Sequence, residues 1–316
     1  MKTKQLGNQG PKLSVVGFGA WEAGEGLWGP NESEDKVIEA IHSGFDAGIN
    51  WIDTAEVYGS GKSETIVGKA LAGRRDDVLV ATKLAPRGSG SGFRAGEVRK
   101  GIEGSLERLG TDRIDLYQLH WPDDGVPVEE TWTAMAALVD EGLVRWIGVS
   151  NFDKELIERC EAIRHVDSLQ PQLSMLHPSN RDLIEWCGQK GIGTVCYGPL
   201  AYGLLTGAIT AGTKFGPDDW RGRGGASYYG RLFAPGKLER SLAVVDSLRP
   251  VADRLGITIA QLALAWLIHQ PGATSAIAGS RDPEHVRQNA AAGDVELDQK
   301  TLDELEEILP LGPAFS

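Results

Sequence analysis

Short apolar runs alternate with longer mixed segments along almost the whole chain. The runs Val15–Ala20, Asn50–Thr54, Val78–Lys83, Ile114–His120, Val144–Ser150, Ser168–Gln172, Gly193–Tyr197 and Thr274–Gly279 predict strands by length and β-branched content. Between them, stretches such as Ser33–Ala47, Arg94–Leu109, Pro127–Glu141, Lys154–Ile163 and Leu183–Lys190 carry apolar positions at helical spacing. Asn31 or Ser33 before an acidic turn, and Asp153 before Lys154-Glu155-Leu156, offer N-caps. Gly48, Gly110, Gly142 and Gly191 close helices that run into the next strand.

Eight strands joined by helical crossovers predict an α/β chain folded as a (β/α)8 TIM barrel. An open doubly wound sheet is the alternative. It needs a glycine-rich turn after an early strand, and Gly17-Phe18-Gly19-Ala20-Trp21-Glu22 lacks the third glycine. Residues Lys2 to Leu13 predict a short polar N-terminal hairpin capping the bottom of the barrel. The stretch Ala201 to Gly236, rich in Gly and bearing Trp220, Arg221, Arg223, Tyr228 and Tyr229, predicts a long loop after strand seven on the catalytic face, either a lid or disordered. No linker or internal repeat divides the chain, so residues 1–316 are expected to form one barrel domain.

Composition narrows the partners. The 316 residues are 41% hydrophobic and 24% charged, as in an ordinary globular protein. A formal net charge of −12 argues against nucleic acid or an anionic membrane as partner, yet leaves room for a local phosphate pocket. Met1 to Pro11 lack the apolar core of a signal peptide, and the longest apolar stretch, Leu262 to Ile268, is too short to span a bilayer. Cys160, Cys187 and Cys196 have no paired spacing and read as reduced thiols of a cytoplasmic protein, with no metal site.

In a barrel, functional side chains stand at the C-terminal ends of the strands. Asp53 ends the second run, Tyr58 follows in its loop, Lys83 ends the third and His120 the fourth. Neighbouring strands lie about 4.8 Å apart, so the four can share one small volume. A phenol beside an ammonium becomes a useful proton donor near neutral pH, because the positive charge favours the phenolate. That combination suits protonation of a carbonyl oxygen during reduction. Singly, each residue has a plainer reading: a turn-capping Asp, a solvated Lys, a packed His before Trp-Pro. The joint arrangement is what points to chemistry.

The segment Asp53-Thr54-Ala55-Glu56-Val57-Tyr58-Gly59-Ser60-Gly61-Lys62-Ser63-Glu64 resembles the first signature of the aldo-keto reductase superfamily. Ala81-Thr82-Lys83, Leu116-Tyr117-Gln118-Leu119-His120-Trp121-Pro122 and Gly148-Val149-Ser150-Asn151-Phe152 are similar to further family motifs, in the same order. The resemblance runs from about Leu6 to the helix after Asn289. It implies a barrel that binds NADPH/NADP+ in an extended pose, with NADH as a second possible donor, and reduces an aldehyde or ketone or oxidises the alcohol. Tyr58 is then the general acid, Lys83 and Asp53 tune it, and His120 orients the carbonyl.

The same resemblance assigns the cofactor. Ser150, Asn151 and Gln170 correspond to ligands of the nicotinamide carboxamide, and Tyr197 to the aromatic on which that ring stacks. The run from Tyr197 to Gly207, including Gly198, Pro199, Leu200 and Gly203, resembles the pyrophosphate loop. Gly279, Ser280 and Arg281 fall where a 2′-phosphate is held, with Gln288 and Asn289 near the adenine. Asp282 caps the following helix and Pro283 fits its first turn. Gly198 departs from a usual Ser, Leu173 from Tyr, His285 from Gln and Gln288 from Glu, none at the four catalytic positions. Trp21, Trp51, Trp121 and residues of the Ala201–Gly236 segment are candidates for the pocket mouth, with core or rim packing the alternative for most of the nine Trp; Trp21 is expected to touch the pocket and to lie beside the cofactor. Two other classes remain open: a Schiff-base lyase using Lys83, and a cofactor-binding regulatory subunit with little turnover.

Overall fold

Two short strands at the start of the chain, β1 (Thr3–Gln5) and β2 (Lys12–Ser14), pair antiparallel. Their hairpin is more than a polar cap. Leu6 and Leu13 enter a buried cluster with Trp51, Ala81, Leu116, Val195 and Ile277, which fills the lower end of a barrel. The computed structural model describes residues 1–86, 93–223 and 229–309. Tyr228 lies outside the described residues.

Above the hairpin, eight parallel strands close into a barrel in the order β10-β3-β4-β5-β6-β7-β8-β9. They are β3 (Val16–Gly19), β4 (Trp51–Asp53), β5 (Leu79–Leu84), β6 (Ile114–Leu119), β7 (Val144–Ser150), β8 (Ser168–Gln170), β9 (Gly193–Cys196) and β10 (Ser275–Ala278). The expected (β/α)8 architecture is therefore present. Several strands stop slightly before the apolar runs do, so His120, Gln172 and Tyr197 lie just beyond the named strands. His120 N still donates to Leu84 O, which holds that residue against the barrel rim.

The crossover helices form where caps and periodicity indicate. Helix α1 (Glu34–Asp46) is capped by Ser33, whose hydroxyl accepts from Lys36 N. Asn31 instead donates to Ala23 O, inside the preceding loop. The others are α2 (Lys62–Ala70), α3 (Ala95–Leu109), α4 (Val128–Asp140), α5 (Lys154–Glu161), α6 (Arg181–Lys190), α7 (Lys237–Leu255), α8 (Ile259–Ile268), α9 (Pro283–Ala291) and α10 (Gln299–Ile308). Asp153 caps α5, and Gly110 and Gly191 end α3 and α6 in the left-handed conformation. Among the described residues no single helix is long and apolar enough to cross a membrane.

Part of the described long segment after β9 packs against the loop after β3. Trp28 pairs with Asp219 in an antiparallel bridge, Trp220 N donates to Leu27 O at 3.0 Å, and the buried Trp220 ring lies 5.6 Å from that of Trp28. The loops after β3 and β9 thus meet over the barrel mouth, as a lid does.

Candidate active site

Strand register brings the four predicted catalytic residues together. Asp53 pairs with Ala81 across β4 and β5, and Lys83 with Gln118 across β5 and β6. Lys83 is 0% exposed, so its ammonium must find partners inside the protein. It donates to Asp53 Oδ1 at 2.7 Å and to Thr54 O at 2.7 Å, and it stands 3.3 Å from Tyr58 Oη. Asp53 gives its second oxygen to Gln170 Nε2 at 2.9 Å. Burial pushes the Asp53 carboxyl up and the Lys83 ammonium down from their ordinary values, and their mutual attraction opposes both shifts. Desolvation is answered by an ion pair with every lysine proton directed at an oxygen.

His120 faces Tyr58 edge-on, with ring centroids 5.6 Å apart. Burial, and secondarily the Lys83 charge, hold its pKa well below 6.5. The ring is neutral at pH 7, and its buried Nδ1 has no hydrogen-bond partner among the described residues. Its backbone carbonyl accepts from Asn151 Nδ2 at 3.0 Å, and its face stacks on Trp121 at 3.6 Å. Trp121 therefore supports the imidazole. Trp21 lies 6.1 Å from the Tyr58 ring and is partly exposed, as expected of a pocket wall.

Of the two readings open for Trp51, mouth or core, the structure shows the core: it is 1% exposed in the lower cluster, where its Nε1 donates to Ser14 O and Ser275 Oγ at 3.2 Å.

Ser150, Asn151, Gln170 and Tyr197 form a second polar group beside the first. Ser150 Oγ donates to Gln170 O at 2.9 Å and accepts from Asn151 Nδ2 at 3.0 Å, while Tyr197 Oη donates to Asn151 Oδ1 at 2.8 Å. Asn151 adopts φ 61°, a left-handed conformation asparagine tolerates better than most residues. Farther along the rim, Gly198 has φ 67°, a left-handed conformation that suits glycine. Pro199 is buried and Leu200 partly so, ahead of a turn in which Ala201, Tyr202 and Gly203 have φ 46°, 57° and 100°. Such strained backbone gathers at ligand sites and can form anion-binding concavities.

Gly279 is placed by packing: a Cβ there would stand 1.9 Å from Gly19 O. Ser280 Oγ accepts from Asp282 N at 3.1 Å, and Asp282 caps α9 through Glu284 N and His285 N. Asn289 is buried on α9 and Gln288 exposed beside it. Arg281 is held by a loop, with Nη1 donating to Pro30 O at 2.9 Å and Nη2 to Trp28 O at 3.0 Å.

Sequence reasoning left Glu64 and Arg108 unassigned. Fully buried Glu64 accepts from Thr82 Oγ1 at 2.6 Å and from Arg108 Nε at 2.6 Å, tying α2 and α3 to the strand that carries Lys83. Glu64 lay inside the quoted signature, but only the fold supplies its partner.

A profile of the Aldo/keto reductase family matches residues 15–310. The chain belongs to the aldo-keto reductase family. It is 35% identical to the aldo-keto reductase YhdN of Bacillus subtilis, over 100% of this chain and 97% of that one. A probable voltage-gated potassium channel subunit beta of Arabidopsis thaliana is 32% identical over 99% of this chain and 98% of its own. Among solved structures, a glycerol dehydrogenase from Gluconobacter oxydans superposes with a TM-score of 0.86 at 32% identity, covering 99% of this chain and 98% of that chain. An aldo-keto reductase from Klebsiella pneumoniae in complex with NADPH gives a TM-score of 0.77 at 32% identity, covering 100% and 98%. With this membership the expectation of an NAD(P)H-dependent oxidoreductase is met. The residues of this aldo-keto reductase also fit the expected dinucleotide: polar side chains converge beside the tetrad, and a strained turn and an arginine follow along the same rim.

Proposed function

We propose that this chain, as one barrel domain in the cytoplasm, reduces an aldehyde or ketone with NADPH, and oxidises the corresponding alcohol in reverse. The observation that carries the reading is the Lys83 ammonium, 2.7 Å from Asp53 and 3.3 Å from Tyr58 Oη, opposite a neutral histidine. Bound NADPH supplies the hydride that reaches the carbonyl carbon.

Negative charge then grows on the carbonyl oxygen, and Tyr58 gives it a proton. The adjacent ammonium stabilises the phenolate left behind, and Asp53, steadied by Gln170, keeps that ammonium in place. His120 is a neutral donor to the same oxygen and orients it. Ser150, Asn151 and Gln170 hold the carboxamide, and Tyr197 supports the ring. Gly198, Pro199, Leu200 and Gly203 carry the pyrophosphate. Gly279, Ser280, Arg281, Gln288 and Asn289 surround the 2′-phosphate and adenine. Trp21 and Trp121 wall a pocket suited to an apolar or ring-bearing small carbonyl.

Dideuteration at C4 of NADPH is expected to put one deuterium on the carbinol carbon of the product. Its absence from that carbon refutes direct hydride transfer. A Schiff-base role for Lys83 fits poorly, because the amine is buried and all its protons are engaged. The channel-subunit relative favours a second reading, a cofactor-binding subunit with little turnover. NADPH bound tightly without consumption across a broad carbonyl panel supports it.

A further inference from the structure

The loop between β3 and α1 is fastened by one side chain that reaches it from beyond β10. Arg281 Nη1 donates to Gly29 O at 3.3 Å, Pro30 O at 2.9 Å and Asn31 Oδ1 at 3.3 Å, and Nη2 donates to Trp28 O at 3.0 Å. Its nearest carboxylate, Glu22, is 3.9 Å from Nε. The guanidinium is therefore wrapped by neutral carbonyl oxygens from a single stretch of chain. A phosphate dianion is a far stronger acceptor for the same N–H groups, and it takes them in bidentate fashion. Two neighbouring groups are already engaged. Asp282 already occupies the first amides of α9 with its own negative charge, and Arg287 is paired with Glu284 at 2.9 Å.

What the arginine holds also leads back to the chemistry. Trp28 is bridged to Asp219 and lies under the Arg221 guanidinium at 5.0 Å; its ring is 5.1 Å from Trp21, which in turn stands 6.1 Å from Tyr58. A continuous set of contacts links the guanidinium to the lid and to the proton donor.

We propose that the Trp28–Asn31 backbone is an internal ligand of Arg281, displaced by a 2′-phosphorylated adenosine and left in place by the unphosphorylated one. The inference rests on the reading of Arg281 as the 2′-phosphate partner. It adds that binding the phosphate loosens the lid contact, so NADPH and NADH leave the mouth in different states. By reciprocity, weakening the clasp strengthens phosphate binding.

Two probes without redox chemistry test this: adenosine 2′,5′-bisphosphate and 5′-AMP. Calorimetry gives their affinities, and hydrogen exchange at matched saturation reports on the loop spanning residues 24–33. The bisphosphate is expected to speed exchange there several-fold over 5′-AMP, and Arg281→Gln to show fast exchange without ligand and no further change. Asn31→Ala, which removes one acceptor, is expected to tighten the bisphosphate several-fold and leave 5′-AMP unchanged. Equal or slower exchange with the bisphosphate overturns the clasp even if Arg281→Gln weakens its binding. Unaltered bisphosphate affinity in Arg281→Gln instead overturns the underlying reading of Arg281.

Discussion

Gln170 Nε2 donates to Asp53 Oδ2 at 2.9 Å, the carboxylate oxygen left over after Lys83 takes Oδ1. A residue expected from its family position to face the cofactor is thus also bonded to the buried Asp53–Lys83 ion pair from across the barrel. Asp53→Asn strands the Lys83 ammonium without its counter-charge and is expected to cost about 3–5 kcal/mol. Gln170→Leu, which leaves one carboxylate oxygen unsatisfied, is expected to cost about 1–3 kcal/mol. Urea unfolding measures both. A loss for Asp53→Asn no larger than for Gln170→Leu contradicts the assignment of Asp53 as the principal counter-ion.

The pH profile separates His120 from an acid. Its pKa is lowered, so the imidazole takes a proton only after pH falls well past 6.5, and between there and neutrality it stays uncharged. No acid limb with a pKa near 6.5 is expected in kcat/KM. A limb near 6.5 that vanishes in His120→Ala contradicts a neutral donor.

The lower plug acts on stability and not on chemistry. Leu6→Ala opens a cavity in the cluster around Trp51 and is expected to cost about 2–5 kcal/mol, with kcat/KM unchanged at temperatures where the variant is folded. A fall in kcat/KM of the folded variant contradicts that separation.

This plug also marks what local sequence can and cannot disclose. Alternating runs and caps made the barrel legible, and the ends of those runs made Asp53, Lys83 and His120 legible. Mouth and core stay equally open for Trp51 in the sequence, because aromatic character says nothing about which end of a strand a residue occupies. It lies two residues before Asp53, on the same face of β4 and about 7 Å lower, which separates plug from active site. The Glu64–Arg108 pair, the Trp28–Asp219 bridge and the Arg281 clasp join distant parts of the chain, and no local pattern announces them.

All three cysteines are buried, and desolvation is the chief cause pushing each thiol up to about 12. A raised thiol pKa means less thiolate at any pH below it, so alkylating reagents at pH 8 are expected to modify the native protein negligibly. All three thiols should react once it is unfolded. Rapid modification of any one in the folded state contradicts the packing around it.

The most direct test pairs NADPH consumption with NADPH binding in the wild type and in Tyr58→Phe, using an activated aromatic aldehyde. The wild type is expected to turn over. Tyr58→Phe is expected to lose about 10²-fold or more in kcat while binding NADPH as tightly, since only a proton donor has been removed. Turnover retained in Tyr58→Phe, or lost only in step with NADPH affinity, contradicts Tyr58 as the general acid.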